Sequence, residues 1–144
     1  VQLAGCLYRV DRLAELLEPY IRFDPVHYTR LTLGCSAGYE ALLLCWMPGQ
    51  FSPIHDHSGS ECAFRVLRGE GVETKFRLAG AAILNEDTRS LPTNTVCASH
   101  HGDIHELGCD CGEGLVTLHL YSPSAPKMRI YHRGLAGPLE QDAA

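Results

Sequence analysis

The spacing of apolar residues changes character near residue 31. From Asp11 to Tyr20, Leu13, Ala14, Leu16, Leu17 and Tyr20 recur at helical intervals. Asp11 is positioned to cap that helix, and Pro25 follows soon after its end. A second short helical or turn segment is expected from Pro25 to Leu31. Beyond it, short runs of β-branched, aromatic and leucine residues alternate with Gly, Pro, Asn and Ser. That rhythm predicts strands over 39–47, 52–58, 62–68, 71–78, 81–86, 94–98, 103–107, 114–121 and 127–133. Many short strands punctuated by turn residues imply an antiparallel sandwich or barrel. Gly69-Glu70-Gly71 reads as a hairpin turn, because glycine takes positive φ at no steric cost. The tail from Leu135 to Ala144 is expected to be irregular.

A length of 144 residues suits a single domain, residues 1–144, with a helical segment over about 10–31 and a barrel over about 38–133. At 45% hydrophobic and 20% charged residues, the composition is that of an ordinary globular protein. The net charge is -5 and there is no basic stripe, which argues against a nucleic-acid partner. The longest apolar run, Ala41 to Met47, is far too short to span a membrane and fits a buried strand. The first residues lack a basic start followed by an apolar run, so no secretory leader is expected and the protein reads as cytoplasmic. The seven cysteines are odd in number and irregularly spaced, which suggests reduced, mostly buried thiols. Cys109-Asp110-Cys111 is too tight for a zinc-knuckle pair.

The candidate chemistry lies in Pro53-Ile54-His55-Asp56-His57. Along an extended strand side chains alternate faces, so His55 and His57 point one way and Asp56 the other. Two imidazoles on one face are half of a metal site, and His105 on a separate strand can complete it. His100 and His101 are nearby alternatives to His105. Imidazole ligands suit Fe, Zn, Cu or Ni, and zinc here would make a hydrolytic or hydratase site. No carboxylate enters this ligand set. The site is therefore more positive than usual and favours an anionic ligand from outside, such as a thiolate.

Several separated motifs carry a resemblance. Gly49 precedes His55 with five residues between them, Gly69 closes the same motif, and Gly102-Asp103-Ile104-His105 supplies a second one. Together these resemble the two motifs of the cupins and imply a mainly β fold: a cupin-type small β-barrel (jelly roll) with one or two short N-terminal helices. Cys62 stands where most cupins carry a Glu ligand. Tyr28-Thr29-Arg30, Cys45-Trp46 and above all Leu118-His119-Leu120-Tyr121-Ser122-Pro123 narrow the resemblance to the cysteine dioxygenases, thiol dioxygenases of the cupin superfamily. It runs from about Tyr28 to Pro123, and the short chain resembles a bacterial member.

The resemblance implies one Fe(II) per chain held by His55, His57 and His105, and oxidation of L-cysteine by O2 to cysteine sulfinate. In the family the substrate chelates iron through thiolate and amine. Arg30 then pairs with the substrate carboxylate, for which a planar guanidinium offers two parallel hydrogen bonds. Tyr28 lines the same pocket. Tyr121 directs its hydroxyl at the oxygen species, and His119 orients it. Eukaryotic members join the cysteine and tyrosine at the positions of Cys62 and Tyr121 by a thioether, whereas many bacterial members carry Gly in place of the cysteine. Ser122-Pro123 resembles the family's cis-proline turn. Met128 and Tyr131 are candidates for the contacts made by the family's C-terminal part. The expected partners are L-cysteine and O2, with no nucleic acid or membrane, and the protein is expected to be a monomer. Three alternatives remain: a dioxygenase of 3-mercaptopropionate or another small thiol, a non-catalytic metal-binding cupin sensor, and a zinc cupin isomerase or hydrolase.

Overall fold

In the computed structural model, which describes residues 2–110, 112–124, 127–134 and 139–142, the chain opens with α1 (Gln2–Arg9), α2 (Leu13–Leu17) and a 3-10 turn (Glu18–Tyr20). Twelve strands follow: β1 (Thr29–Ser36), β2 (Tyr39–Trp46), β3 (Gln50–Phe51), β4 (Ile54–Asp56), β5 (Glu61–Arg68), β6 (Gly71–Ala79), β7 (Ala82–Leu91), β8 (Val96–Ser99), β9 (Ile104–Cys109), β10 (Leu115–Ser122), β11 (Lys127–Tyr131) and β12 (Leu139–Asp142). One sheet has the order β1-β2-β10-β5-β8. The other runs β12-β11-β4-β9-β6-β7, with β3 also paired to β9. Every pairing is antiparallel. The sheets face one another without closing into a continuous barrel.

The unbroken apolar run of β2 follows from burial on both of its faces. Leu42, Leu44 and Trp46 point between the sheets, where they pack with Phe64, Val66, Leu91, Leu107 and Leu115. Leu43 and Cys45 point outward and are covered by Leu3, Ala4 and Leu7 of α1 and by Leu13 and Leu17 of α2. A strand with one solvated face would alternate; this one has none. Each fully buried aliphatic side chain contributes about 1.5–3 kcal/mol relative to exposure. The helices therefore roof the sheet that carries β10, and the inter-sheet space is left for the site.

The N-terminal segment departs from expectation. Helix α2 is shorter than Asp11–Tyr20, and Asp11 does not cap it. Arg12 holds the N-cap position with φ 59° and no side-chain capping hydrogen bond. A further helix, α1, precedes it. Residues 25–27 form a bend, and strand β1 begins at Thr29, inside the segment read as helical or turn. Gly69 and Glu70 are no hairpin: β5 and β6 lie in different sheets, so these residues turn the corner between them. Gly69 has φ 80°, and a Cβ there would lie 2.1 Å from the Gly114 carbonyl oxygen. β7 extends beyond residue 86 to Leu91. Part of the tail, 139–142, is strand rather than irregular. Cys111, 135–138 and 143–144 lie outside the described residues.

Candidate metal centre

β4 and β9 pair with His55 directly opposite His105, which brings two of the three imidazoles together by register alone. His57 follows just beyond the end of β4. The ring centroids are separated by 5.2 Å (His55–His57), 4.7 Å (His55–His105) and 5.0 Å (His57–His105). One nitrogen from each ring falls within 4.8 Å of the others, and all three side chains are buried. His100 and His101 are exposed and outside this group.

Hydrogen bonds fix which nitrogens are free. His55 Nδ1–H donates to the Pro53 carbonyl at 2.8 Å, leaving Nε2 with its lone pair. His105 Nδ1–H donates to Glu73 Oε1 at 2.8 Å, so its Nε2 is free as well, and that atom lies 3.2 Å from His57 Nε2. His57 Nδ1 is buried without a partner among the described residues. Burial, with the charge of His105, holds His55 down to about 3 and His57 to about 2. Three imidazoles with convergent nitrogens fit a divalent transition metal that prefers nitrogen ligands.

Glu73 and Arg89 are the residues that the sequence pattern missed. Glu73 is 0% exposed and accepts two hydrogen bonds from Arg89, at 2.8 and 2.6 Å, on the oxygen not used by His105. Burial alone would raise its carboxyl, but bonding to His105 and Arg89 outweighs that and brings it to about 2. The inward parity of β6, in which Gly71 and Glu73 are buried while Val72 and Thr74 are only half-buried, shows in the structure and not in the sequence.

Beside the imidazoles lies a cavity of about 210 Å³, whose lining includes Tyr28, Arg30, Trp46, His55, His105, His119, Tyr121, Met128 and Ile130. Arg30 reaches it from β1, opposite Leu44 of β2. No acidic side chain among the described residues pairs with Arg30, and no carboxylate lines the cavity. Tyr28 stacks on Trp46 with centroids 4.2 Å apart. Met128 joins the lining. Tyr131 instead donates its hydroxyl to Asp56 Oδ2 at 2.8 Å, on the opposite face of β4.

On β10 a polar chain runs along one face. Trp46 Nε1–H donates to Thr117 Oγ1 at 3.0 Å, Thr117 meets His119 Nε2 at 2.9 Å, and His119 Nδ1 meets the Tyr121 hydroxyl at 3.3 Å. Burial holds His119 well below the usual imidazole value, so it is neutral. Cys62 lies opposite Tyr121 across the β5–β10 pairing, and both side chains belong to the same buried cluster. Burial raises both the thiol and the phenol, so each keeps its proton at neutral pH. The Ser122–Pro123 bond is cis.

Comparison with known proteins agrees with this arrangement. A family model described as cysteine dioxygenase type I matches residues 8–134, further in both directions than the Tyr28–Pro123 resemblance. Cysteine dioxygenase type 1 of Rattus norvegicus is 34% identical over 111 residues, covering 72% of this chain and 55% of its own length. The chain thus spans about half the length of the curated relatives it matches at this level. Among solved structures, a Thermus thermophilus protein superposes with a TM-score of 0.65 at 20% identity, covering 75% of this chain and 94% of its own. A Klebsiella pneumoniae protein with a double-stranded β-helix domain gives 0.63 at 14% identity, covering 81% and 95%. These likenesses establish a cupin, or double-stranded β-helix, fold. No helix among the described residues is long and apolar enough to cross a membrane.

Proposed function

The chain belongs to the cysteine dioxygenase type I family, and on that premise we propose that it is a mononuclear iron thiol dioxygenase converting L-cysteine to cysteine sulfinate. One observation carries this reading: a single cavity is lined at once by two of the three clustered imidazoles, a guanidinium with no acidic partner among the described residues, and a tyrosine. His55, His57 and His105 would hold one Fe(II) per chain. Iron held there would supply O2 activation and a Lewis-acid seat for a thiolate.

The remaining tasks fall to the protein's own side chains. Imidazoles and Arg30 line the cavity without a carboxylate among the described residues, so an anionic ligand is favoured there. Arg30 offers a carboxylate two parallel charge-assisted hydrogen bonds, which orients an amino-acid substrate by the end remote from its sulfur. Tyr28, held flat by Trp46, walls the pocket, and Met128 offers a soft apolar contact to the substrate methylene. If Thr117 donates to His119 Nε2, then His119 Nδ1–H donates to the Tyr121 oxygen. The Tyr121 proton is then free to bond negative charge developing on oxygen in the cavity. No external reductant is needed: sulfur loses the four electrons that O2 gains, and both oxygen atoms end on sulfur.

We read Cys62 and Tyr121 as the partners of a thioether. Its formation breaks the S–H bond and one ring C–H bond, forms C–S, and passes two electrons and two protons to O2. The family match over residues 8–134 also supports reading the chain as one domain.

An oxygen electrode tests the enzyme reading. Iron-loaded protein should consume one O2 per cysteine and accumulate sulfinate. Absence of uptake by fully loaded protein would replace the enzyme with a metal-binding sensor. A higher kcat/KM for 3-mercaptopropionate than for L-cysteine would reassign the substrate.

A further inference from the structure

We infer that Glu73 sets the donor strength of His105 toward its metal and that Arg89, reaching in from the surface, opposes it. The inference rests on the metal reading above and adds a device to it. The three imidazoles are supported unequally. Among the described residues, His55 leans on a neutral carbonyl, His57 Nδ1 has no partner, and His105 alone is bonded to a carboxylate. A carboxylate drawing on Nδ1–H makes Nε2 the more electron-rich ligand atom. The site has no acidic ligand, so Glu73 supplies the missing negative charge from one hydrogen bond further out.

Glu73 reaches this position through the sheet. It pairs with Leu107 across β6 and β9, two residues from His105 and on the same face, so the contact is a diagonal one between neighbouring strands. Its second oxygen is occupied by Arg89 of β7, the next strand out. The Arg89 side chain is 44% exposed, whereas Glu73 is 0% exposed. A line of charge therefore runs from solvent through Arg89 and Glu73 to His105. Arg89 draws off part of the charge that Glu73 would otherwise lend.

The two residues therefore push in opposite directions, and a merely structural ion pair would not separate them. The test uses the full chain, loaded anaerobically with Fe(II) and free of substrate, comparing wild type, Glu73→Gln, Arg89→Gln and Arg89→Lys. The readouts are the Fe(III)/Fe(II) midpoint potential and the Fe(II) dissociation constant. Glu73→Gln should raise the potential and weaken Fe(II) binding by about 10- to 100-fold. Arg89→Gln should lower the potential without weakening binding, and Arg89→Lys should lie between it and wild type. Shifts of the same sign in the Gln variants, or no shift in either, would overturn the inference. If Arg89→Gln does not fold, Arg89→Lys decides: a potential equal to or above that of wild type overturns the idea. A wild-type protein that binds no iron overturns the metal reading itself, a result distinct from the others because it precedes any comparison of variants.

Discussion

Cys62 stands directly opposite Tyr121 across the antiparallel pairing of β5 and β10, with both side chains buried in one cluster. Register alone delivers the contact, so it needs no loop movement. Protein purified after aerobic turnover with iron and cysteine should contain a fraction lighter by the mass of two hydrogen atoms. Digestion should trace that loss to a peptide pair containing Cys62 and Tyr121. A mass that never changes over many turnovers, or a loss traced to other residues, would count against the thioether.

Arg30 is a half-buried cation in the cavity with no acidic partner among the described residues. Hydrogen bonds between charged groups are worth about 1.5–3 kcal/mol. Replacing Arg30 by Gln should therefore lower kcat/KM for L-cysteine roughly 10- to 100-fold, mainly through KM, while iron content stays the same. Cysteamine, which has the thiol and amine but no carboxylate, should be used equally by both proteins. An equal loss for both substrates would remove Arg30 from carboxylate recognition.

Thr117 joins Trp46 to His119 with its single hydroxyl and is fully buried. Thr117→Val keeps the shape and strands both neighbours without partners. Each orphaned buried group costs about 1–3 kcal/mol, so a loss of roughly 2–4 kcal/mol in denaturant unfolding is expected. In the folded enzyme kcat should fall while KM is held, because His119 no longer fixes Tyr121. Stability and kinetics equal to wild type would show the chain of bonds to be dispensable.

Acid should destabilise the metal-free protein, and the sign follows from proton uptake. His55 and His57 stay neutral in the fold down to about 3 and about 2, against an ordinary value of 6.5. His119 shifts in the same direction. As pH falls below the ordinary value, the unfolded chain binds protons that the folded chain refuses, so unfolding gains. The slope approaches about 1.4 kcal/mol per pH unit for each such histidine. Glu73 extends the trend to more acidic pH, below its ordinary value of 4.5, since its folded value is about 2. Denaturation midpoints should drop between about pH 7.5 and about pH 5, and substituting His55 and His57 by Asn should flatten the drop. A midpoint that rises toward acid would contradict the buried, neutral state of these rings.

Strand alternation makes His55 and His57 readable from sequence, because period-2 geometry places them on one face whatever the rest of the fold does. His105 needed a motif, since pairing across β4 and β9 is a long-range fact that no local pattern contains. Glu73 was invisible for a physical reason. β6 reads Val72-Glu73-Thr74-Lys75-Phe76-Arg77, with polar residues at both parities, so an inward carboxylate looks like any solvated one. β1 has no counterpart among the strands expected from sequence: its first residues fall in the segment expected to be helical or turn, and the rest in no expected element. Its Leu31 and Leu33 are 41% and 37% exposed at a sheet edge, so burial imposes no strand pattern on them. The corner at Gly69 mimics a hairpin because a turn between sheets and a turn within one ask the same of the backbone.

We propose that His55, His57 and His105 together hold one divalent ion. This is tested most directly by stripping the protein of metal, equilibrating it anaerobically with Fe(II), and measuring iron per chain after removal of excess. Wild type should retain one iron per chain and His105→Ala should retain almost none, with both proteins folded. Wild type emerging without iron, or His105→Ala retaining as much as wild type, would contradict the account.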